Sequence, residues 1–417
     1  MQQLTPAEAA LVASVDAAPM LDQVLAWSAV NTGTGNLGGL AQYAAMLADE
    51  FAALPGAIAL VDPAPVRAVA ADGREIDVGY GKHLVLRVRP TANRRLLLTG
   101  HMDTVFPADH AFQATRWLDD ETLNGPGVAD MKGGIAVILA ALKAFEGSAS
   151  ASGVGYDVLL NSDEETGSLS SAPLIAELAA GKIAALTYEP SALPDGTLAG
   201  ARGGSGNYSL IVTGKSAHAG RNPQDGRNAI VAAAALALGL KALQRPGLSI
   251  NPARIDGGSA NNVVPDHAVL RFNIRPMETE LAEWFEQQIK QLIATGTTEH
   301  DVAIHRHGGI SRPPKPLDPP AERLFELVRD CGAAVLRVAP GMGRLAGDNQ
   351  AVIAAPAARA GQGAIGQGGG LISQRRDLAG GEVSDQRCRG EAAGFLIRIE
   401  QDVITDARGG RATFKGL

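Results

Sequence analysis

Short apolar runs bounded by polar or glycine-containing turns recur through the first half of the chain. His83 to Val88 (HLVLRV), Arg94 to Gly100 (RRLLLTG) and Tyr156 to Asn161 (YDVLLN) are of strand length, and the alanine-rich stretch Gly133 to Phe145 is long enough for a helix. Such alternation predicts an α/β sheet domain. Near Gly200 the texture changes. Tyr208 to Thr213 alternates apolar and polar positions between glycine-rich turns, and Asn228 to Leu243 reads as a helix. After the polar loop DGGSANNVVPD, His267 to Arg275 reads as a strand and Glu278 to about Ala294 as a helix. Strand, helix, strand, helix is the pattern of a small α+β insert. The proline-rich SRPPKPLDPP, Ser311 to Pro320, predicts a linker back to the first domain. The expected division is residues 1–200, an insert over 201–312, and 313–417 rejoining the first unit.

Length supports more than one unit, because single cores rarely grow past roughly 250–300 residues and this chain has 417. A hydrophobic share of 46% with 19% charged residues is that of an ordinary globular protein and excludes the disordered class. The net charge of -7 argues against a general nucleic-acid binder. No basic n-region with an apolar core opens the chain, and no uninterrupted apolar span of membrane length follows, so a cytoplasmic protein without a membrane partner is expected. With Cys331 and Cys388 as the two cysteines, neither a disulfide framework nor a cysteine-built metal site can form. Any metal must sit on His, Asp and Glu.

The octapeptide NSDEETGS, Asn161 to Ser168, crowds three carboxylates at the end of a strand. Like charges are dispersed into water there or held together by a cation, and ligands of open α/β sheets bind beyond such strand ends. Other strand ends carry matching groups: His101 and Asp103 in LLLTGHMDTV, Asp130 in NGPGVADMKGG at the mouth of a helix, and Glu189 in LTYEPS. Singly, Asp130 reads as a helix N-cap, His101 as a core histidine and Glu189 as a surface carboxylate. Together they make a donor set suited to zinc, manganese or cobalt. In an extended segment Glu164 and Glu165 point to opposite sides, so one can hold metal while the other moves a proton.

The motifs GHMDTV, GxGxxDMKGG and DEETGS, with a Glu-Pro 24 positions after Glu165, resemble the M20 family of co-catalytic metallopeptidases, in its glutamate carboxypeptidase-like branch. Acetylornithine and succinyl-diaminopimelate deacylases are relatives within that family, and the likeness covers about residues 25 to 340. It implies a mixed-sheet di-zinc catalytic domain with an inserted α+β lid and dimerisation domain, and two zinc ions per chain, with cobalt or manganese as possible substitutes. His101 and Glu189 would bind one ion, Glu165 the other, and Asp130 would bridge them through a cis Asp130-Met131 peptide. Glu164 would be the general base, and Asp103 would orient the His101 ring. GKSAHAGRNPQDGRNAI and GGSANNVVPDHA look like the family's lid. His218 would stabilise the oxyanion in the partner subunit of a homodimer, while Asn262 and Arg275 would bind the substrate carboxylate. The family's Asp two residues before that arginine is Asn273 here.

The likeness implies hydrolysis of an amide beside a free carboxylate in a small peptide or N-acyl amino acid, with release of a C-terminal glutamate-type residue. An N-acyl amino acid deacylase is the alternative enzyme, and a catalytically impaired dimeric binding protein the alternative from another class. The third reading arises at the C-terminus. Ser373 stands where the family carries its last metal ligand, a histidine, and apolar periodicity is lost over residues 373–391 before AAGFLIRIEQDVI resumes it. A pair of compensating frame changes produces such a pattern.

Overall fold

The computed structural model describes residues 4–119, 122–190, 198–336 and 342–345. Its central sheet has five strands in the order Ala57–Val61, His83–Val88, Val154–Asn161, Arg94–His101, Ala184–Thr187. The first three pair antiparallel, and the last three run parallel, so the sheet is mixed. Val154–Asn161 is buried along its whole length, which is why its sequence reads as a continuous apolar run. One face packs against Gly134–Glu146, Leu37–Phe51 and Ala18–Ser28 through Leu139, Leu142, Phe145, Tyr43, Leu47, Phe51 and Trp27. The other face buries Val85, Leu97 and Leu159 under Leu178 of the helix Ala172–Ala179. Helices on both faces leave the strand ends as the place for a site.

The insert is a four-stranded antiparallel sheet in the order Leu248–Gly257, His267–Pro276, Ser205–Thr213, Ala303–Arg312. Helices Ala229–Ala242 and Thr279–His300 cover one face, and Leu210, Leu236, Leu270, Phe272, Phe285 and Ile289 fill the second core. Tyr208 stacks on Phe272 with ring centroids 4.8 Å apart.

Two of these strands were not expected from sequence. Leu248–Gly257 is a mostly exposed edge strand interrupted by Pro252, and Ala303–Arg312 carries Gly308, Gly309 and two histidines, so neither shows the apolar alternation of a strand. The expected linker also shortens. Ser311 and Arg312 end a strand, and Pro319 and Pro320 open the helix Pro319–Leu336, where a missing N–H does no harm. That helix returns to the first core with Phe325, Leu327, Val328 and Cys331. A further hairpin, Val66–Val69 with Glu75–Val78, was also not foreseen. No single helix among the described residues is long and apolar enough to cross a membrane. Ser373, the 373–391 stretch and the apolar run after it lie outside the described residues.

Candidate metal centre

Register brings the candidate ligands to one edge. His101 ends its strand opposite Asn161, and Thr99 pairs with Thr187, so the DEE turn and Glu189 leave the parallel strands beside His101. His101 is 1% exposed. Its Nε2 lies 2.9 Å from Asp130 Oδ1 and 3.4 Å from Glu189 Oε1. Two sets of donor atoms each lie within 4.8 Å of one another: His101, Asp130 and Glu165, and His101, Glu164 and Glu189. The Asp130-Met131 peptide is cis. Asp130 is not the helix N-cap, a position held by Gly133 without a side-chain hydrogen bond.

The DEE segment is not extended. Glu164–Thr166 forms one turn of 3-10 helix, closed by Gly167 and Ser168 at positive φ. Asp163 explains the turn: it is fully buried, and its carboxylate is taken up by donors from Asn161, Ser170 and Ser171. Its Oδ2 accepts from Ser170 N at 2.6 Å, Ser170 Oγ at 2.8 Å and Ser171 N at 3.2 Å, while Oδ1 accepts from Asn161 Nδ2 at 3.1 Å. Asp103 ties the turn to the histidine strand, accepting from Glu164 N at 3.1 Å, Glu165 N at 3.2 Å and Thr34 Oγ1 at 2.7 Å. The nearest group to His101 Nδ1 is the Asp103 carbonyl at 2.9 Å, with the Asp103 carboxylate at 3.4 Å. Lys132 anchors the Asp130 turn from behind, donating to the carbonyls of Trp27 and Val30 at 3.0 Å each.

The electrostatics of the cluster favour a cation among these carboxylates. Burial pushes the Glu165 carboxyl up to about 8, with Asp130, Glu164 and Asp103 adding to the rise against His101. Burial and Asp130 also hold Glu189 well above the carboxylate range. Burial alone would lower His101, but Glu189, Asp103 and Asp130 raise it well above its usual value. Hard carboxylate oxygens and one imidazole, crowded and desolvated, are a donor set that fits divalent cations.

The residues expected to bind substrate all belong to the inserted unit. His218 is exposed, and its Nδ1 accepts from Gly220 N and Arg221 N at 3.1 Å. Asn262 is exposed beside it, its carbonyl accepting from Ala219 N at 2.9 Å. Arg275 Nε donates to Asn273 Oδ1 at 2.8 Å, so asparagine supplies a local partner where the family has aspartate. Among the described residues, His218 joins neither donor set of its own chain.

A residue that sequence reasoning missed does reach the site. Arg312 Nη2 donates to Glu164 Oε1 at 2.7 Å and to the Glu164 carbonyl at 2.8 Å. Nothing local marks it, since an arginine before two prolines reads as part of a linker. Arg202 lies near it; burial lowers its pKa, as does Arg312, while Glu164 and Glu189 oppose the shift.

Comparison with known proteins places the fold and the two units. Residues 200–301 match the family model described as peptidase dimerisation domain, and residues 83–187 match the one described as peptidase family M28. The second span contains His101, Asp130, Glu164 and Glu165. Carboxypeptidase G2 of Pseudomonas sp. (strain RS-16) is 33% identical over 202 residues, 48% of this chain, so the match spans about half (49%) of that relative's length. Succinyl-diaminopimelate desuccinylase of Xanthomonas campestris pv. campestris is 31% identical over 285 residues, which is 63% of this chain and 72% of that protein. The crystal structure of an M20 family metallo-carboxypeptidase from Sulfolobus solfataricus shares the fold, with a TM-score of 0.64 at 14% identity over 92% of this chain and 99% of that one. A strand-end cluster of one histidine and several carboxylates, an inserted dimerisation-type unit and this likeness to the desuccinylase together show that the chain belongs to the M20 family of metallopeptidases and amidohydrolases.

Proposed function

We propose that this protein is a metal-dependent hydrolase of an amide bond beside a free carboxylate, acting as a carboxypeptidase that releases a C-terminal glutamate-type residue. The observation that carries the reading is the convergence of His101, Asp130, Glu164, Glu165 and Glu189 at one strand edge. His101, Asp130, Glu165 and Glu189 are the residues that would hold two divalent ions, zinc by family likeness. Bound there, the ions supply Lewis acidity and make water nucleophilic near neutral pH.

The chain's own residues carry the rest. Glu164 is the general base and takes the proton of the attacking water on its carboxylate. Its backbone position is set by Asp103, which accepts from Glu164 N and Glu165 N. The Arg312 guanidinium balances the charge of Glu164 and holds the turn to the end of the lid strand. Asn262 and Arg275 bind the substrate carboxylate, and His218 serves the partner's site in a homodimer. Support for a dimer comes from the dimerisation-domain match and from Val231 and Leu238, which the helix Ala229–Ala242 leaves 52% and 74% exposed.

An N-acyl amino acid deacylase is the second reading, favoured by the longer match to the desuccinylase. A panel of peptides with C-terminal glutamate, N-acyl amino acids and N-succinyl-diaminopimelate, run on protein of measured metal content, separates the two. Turnover of the acyl compounds alone would transfer the assignment to the deacylases, and metal retention without any turnover would favour the impaired binding protein.

A further inference from the structure

One hairpin of the catalytic unit leaves its own sheet. Among the described residues, strands Val66–Val69 and Glu75–Val78 pair only with each other, turning near Asp72 and Gly73. An isolated two-stranded hairpin is marginal in water, so it needs a support. That support is the lid face that carries no helices. Because side chains alternate along a strand, Leu210 and Leu270 face the helices while Ser209, Arg271 and His307, which are in register across three strands, face the other way.

Arg271 Nη2 donates to the carbonyls of Val69 at 2.9 Å and Ala70 at 2.8 Å. His307 places Nε2 3.1 Å from the Arg67 carbonyl and Nδ1 3.3 Å from Glu75 Oε1, and His305 Nε2 stands 3.6 Å from the same oxygen. Arg271 is itself held by an ion pair with Asp256, which Arg254 also contacts at 2.6 Å. The turn sits flush on the sheet: a Cβ on Gly73 would lie 2.5 Å from His267 Cε1 and 2.9 Å from Ile211 Cγ2.

Among the described residues the chain crosses between the two units twice, and the crossings are joined where Arg202 and Lys315 exchange backbone hydrogen bonds of 2.9 and 2.8 Å. Two adjacent crossings form a hinge, which leaves the lid free to rotate about it. The Arg312 contact lies at that hinge and gives little leverage. His307 is five residues up the strand from Arg312, roughly 16 Å away at the rise of a β-strand. A contact at that distance fixes the angle.

We propose that the hairpin Val66 to Val78 is a strap that sets the angle of the lid on its own catalytic unit, with Arg271 and His307 as positioning residues for the hydrolysis. The kinetic part rests on the proposed function. The mechanical part does not.

The test uses the full chain and the variants Arg271→Gln, His307→Ala and their double. Amide exchange in residues 66–78 is expected to speed up by about tenfold or more while the helix Thr279–His300 keeps its protection. Small-angle scattering should show a larger radius of gyration, and kcat should fall with metal content unchanged; Arg271→Lys, which still donates to the carbonyls, should recover part of the loss. Unchanged exchange in 66–78 overturns the strap, as does faster exchange with unchanged scattering. Released strap and altered scattering with unaltered kcat and KM overturn the positioning role. If the lid helix itself loses protection, Glu75→Ala decides, since it removes the carboxylate that faces His307 and His305 from the hairpin side and leaves the lid sequence intact. If wild-type protein hydrolyses nothing in the panel, the proposed function fails, and exchange and scattering still decide the strap.

Discussion

Arg312 and Glu164, 148 residues apart in sequence, form an ion pair of 2.7 Å in which each side chain is 15% exposed. The pair joins the last strand of the lid to the turn that carries the proposed base. Its coupling is measurable by a double-mutant cycle. Because a hydrogen bond to a charged group contributes about 1.5–3 kcal/mol when shielded from water, Arg312→Gln and Glu164→Gln should show a coupling of about 1 kcal/mol or more in denaturant unfolding. Additive effects would mean that the pair contributes nothing to the folded state.

Glu164 belongs to a donor set with His101 and Glu189, yet its assigned task is proton transfer. Glu164→Gln should lose about 10²–10⁴ in rate and retain its metal. Loss of metal instead would exchange the roles of Glu164 and Glu165.

The desolvated carboxylates give the metal-free protein a distinctive pH response. Glu165 is raised from 4.5 to about 8 in the fold, so the folded state binds more protons than the unfolded state between those values. The contribution of Glu165 is therefore present in full below pH 4.5 and lost as pH rises through about 8. Glu189 shifts in the same direction. Thermal unfolding of chelator-treated protein should show Tm falling across this window, and saturating zinc should abolish the slope. A Tm that rises with pH in the metal-free protein contradicts the buried, proton-binding cluster.

His218 is exposed and stands outside both donor sets of its own chain. His218→Ala should reduce turnover without releasing metal. Mixing it with Glu164→Gln chains should restore some activity in heterodimers, each of which holds one intact site. A verified mixed dimer with no recovery would return His218 to its own subunit or to no role.

The resemblance to the M20 family predicts a histidine ligand at the position of Ser373. The protein as written should hold one equivalent of metal tightly and the second weakly, by titration against a chelating indicator. The gene should reveal compensating frame changes around residues 373–391, with histidine restored at about position 373. Two tight equivalents together with an unbroken frame would mean that another residue replaces that histidine.

Much of the fold was legible in the sequence because the central strands are buried on both faces. His83–Val88, Arg94–His101 and Val154–Asn161 therefore read as continuous apolar runs, and His101 and the DEE turn could be placed at the ends of two of them. The hairpin at residues 66–78 also had a local mark, Asp72-Gly73 between alternating residues, though exposure on most of its positions left the pattern faint. Leu248–Gly257 and Ala303–Arg312 had none, since an edge strand and a glycine-containing one are held by their neighbours' hydrogen bonds and not by burial of their own side chains. Only tertiary structure could turn Asp163 inward to close the DEE turn and bring Arg312 to Glu164. Composition and spacing fix which residues a strand presents at its end, because alternation and burial are local properties. Which distant charge then meets them depends on the path of the chain between Arg202 and Lys315, and no local pattern records that path.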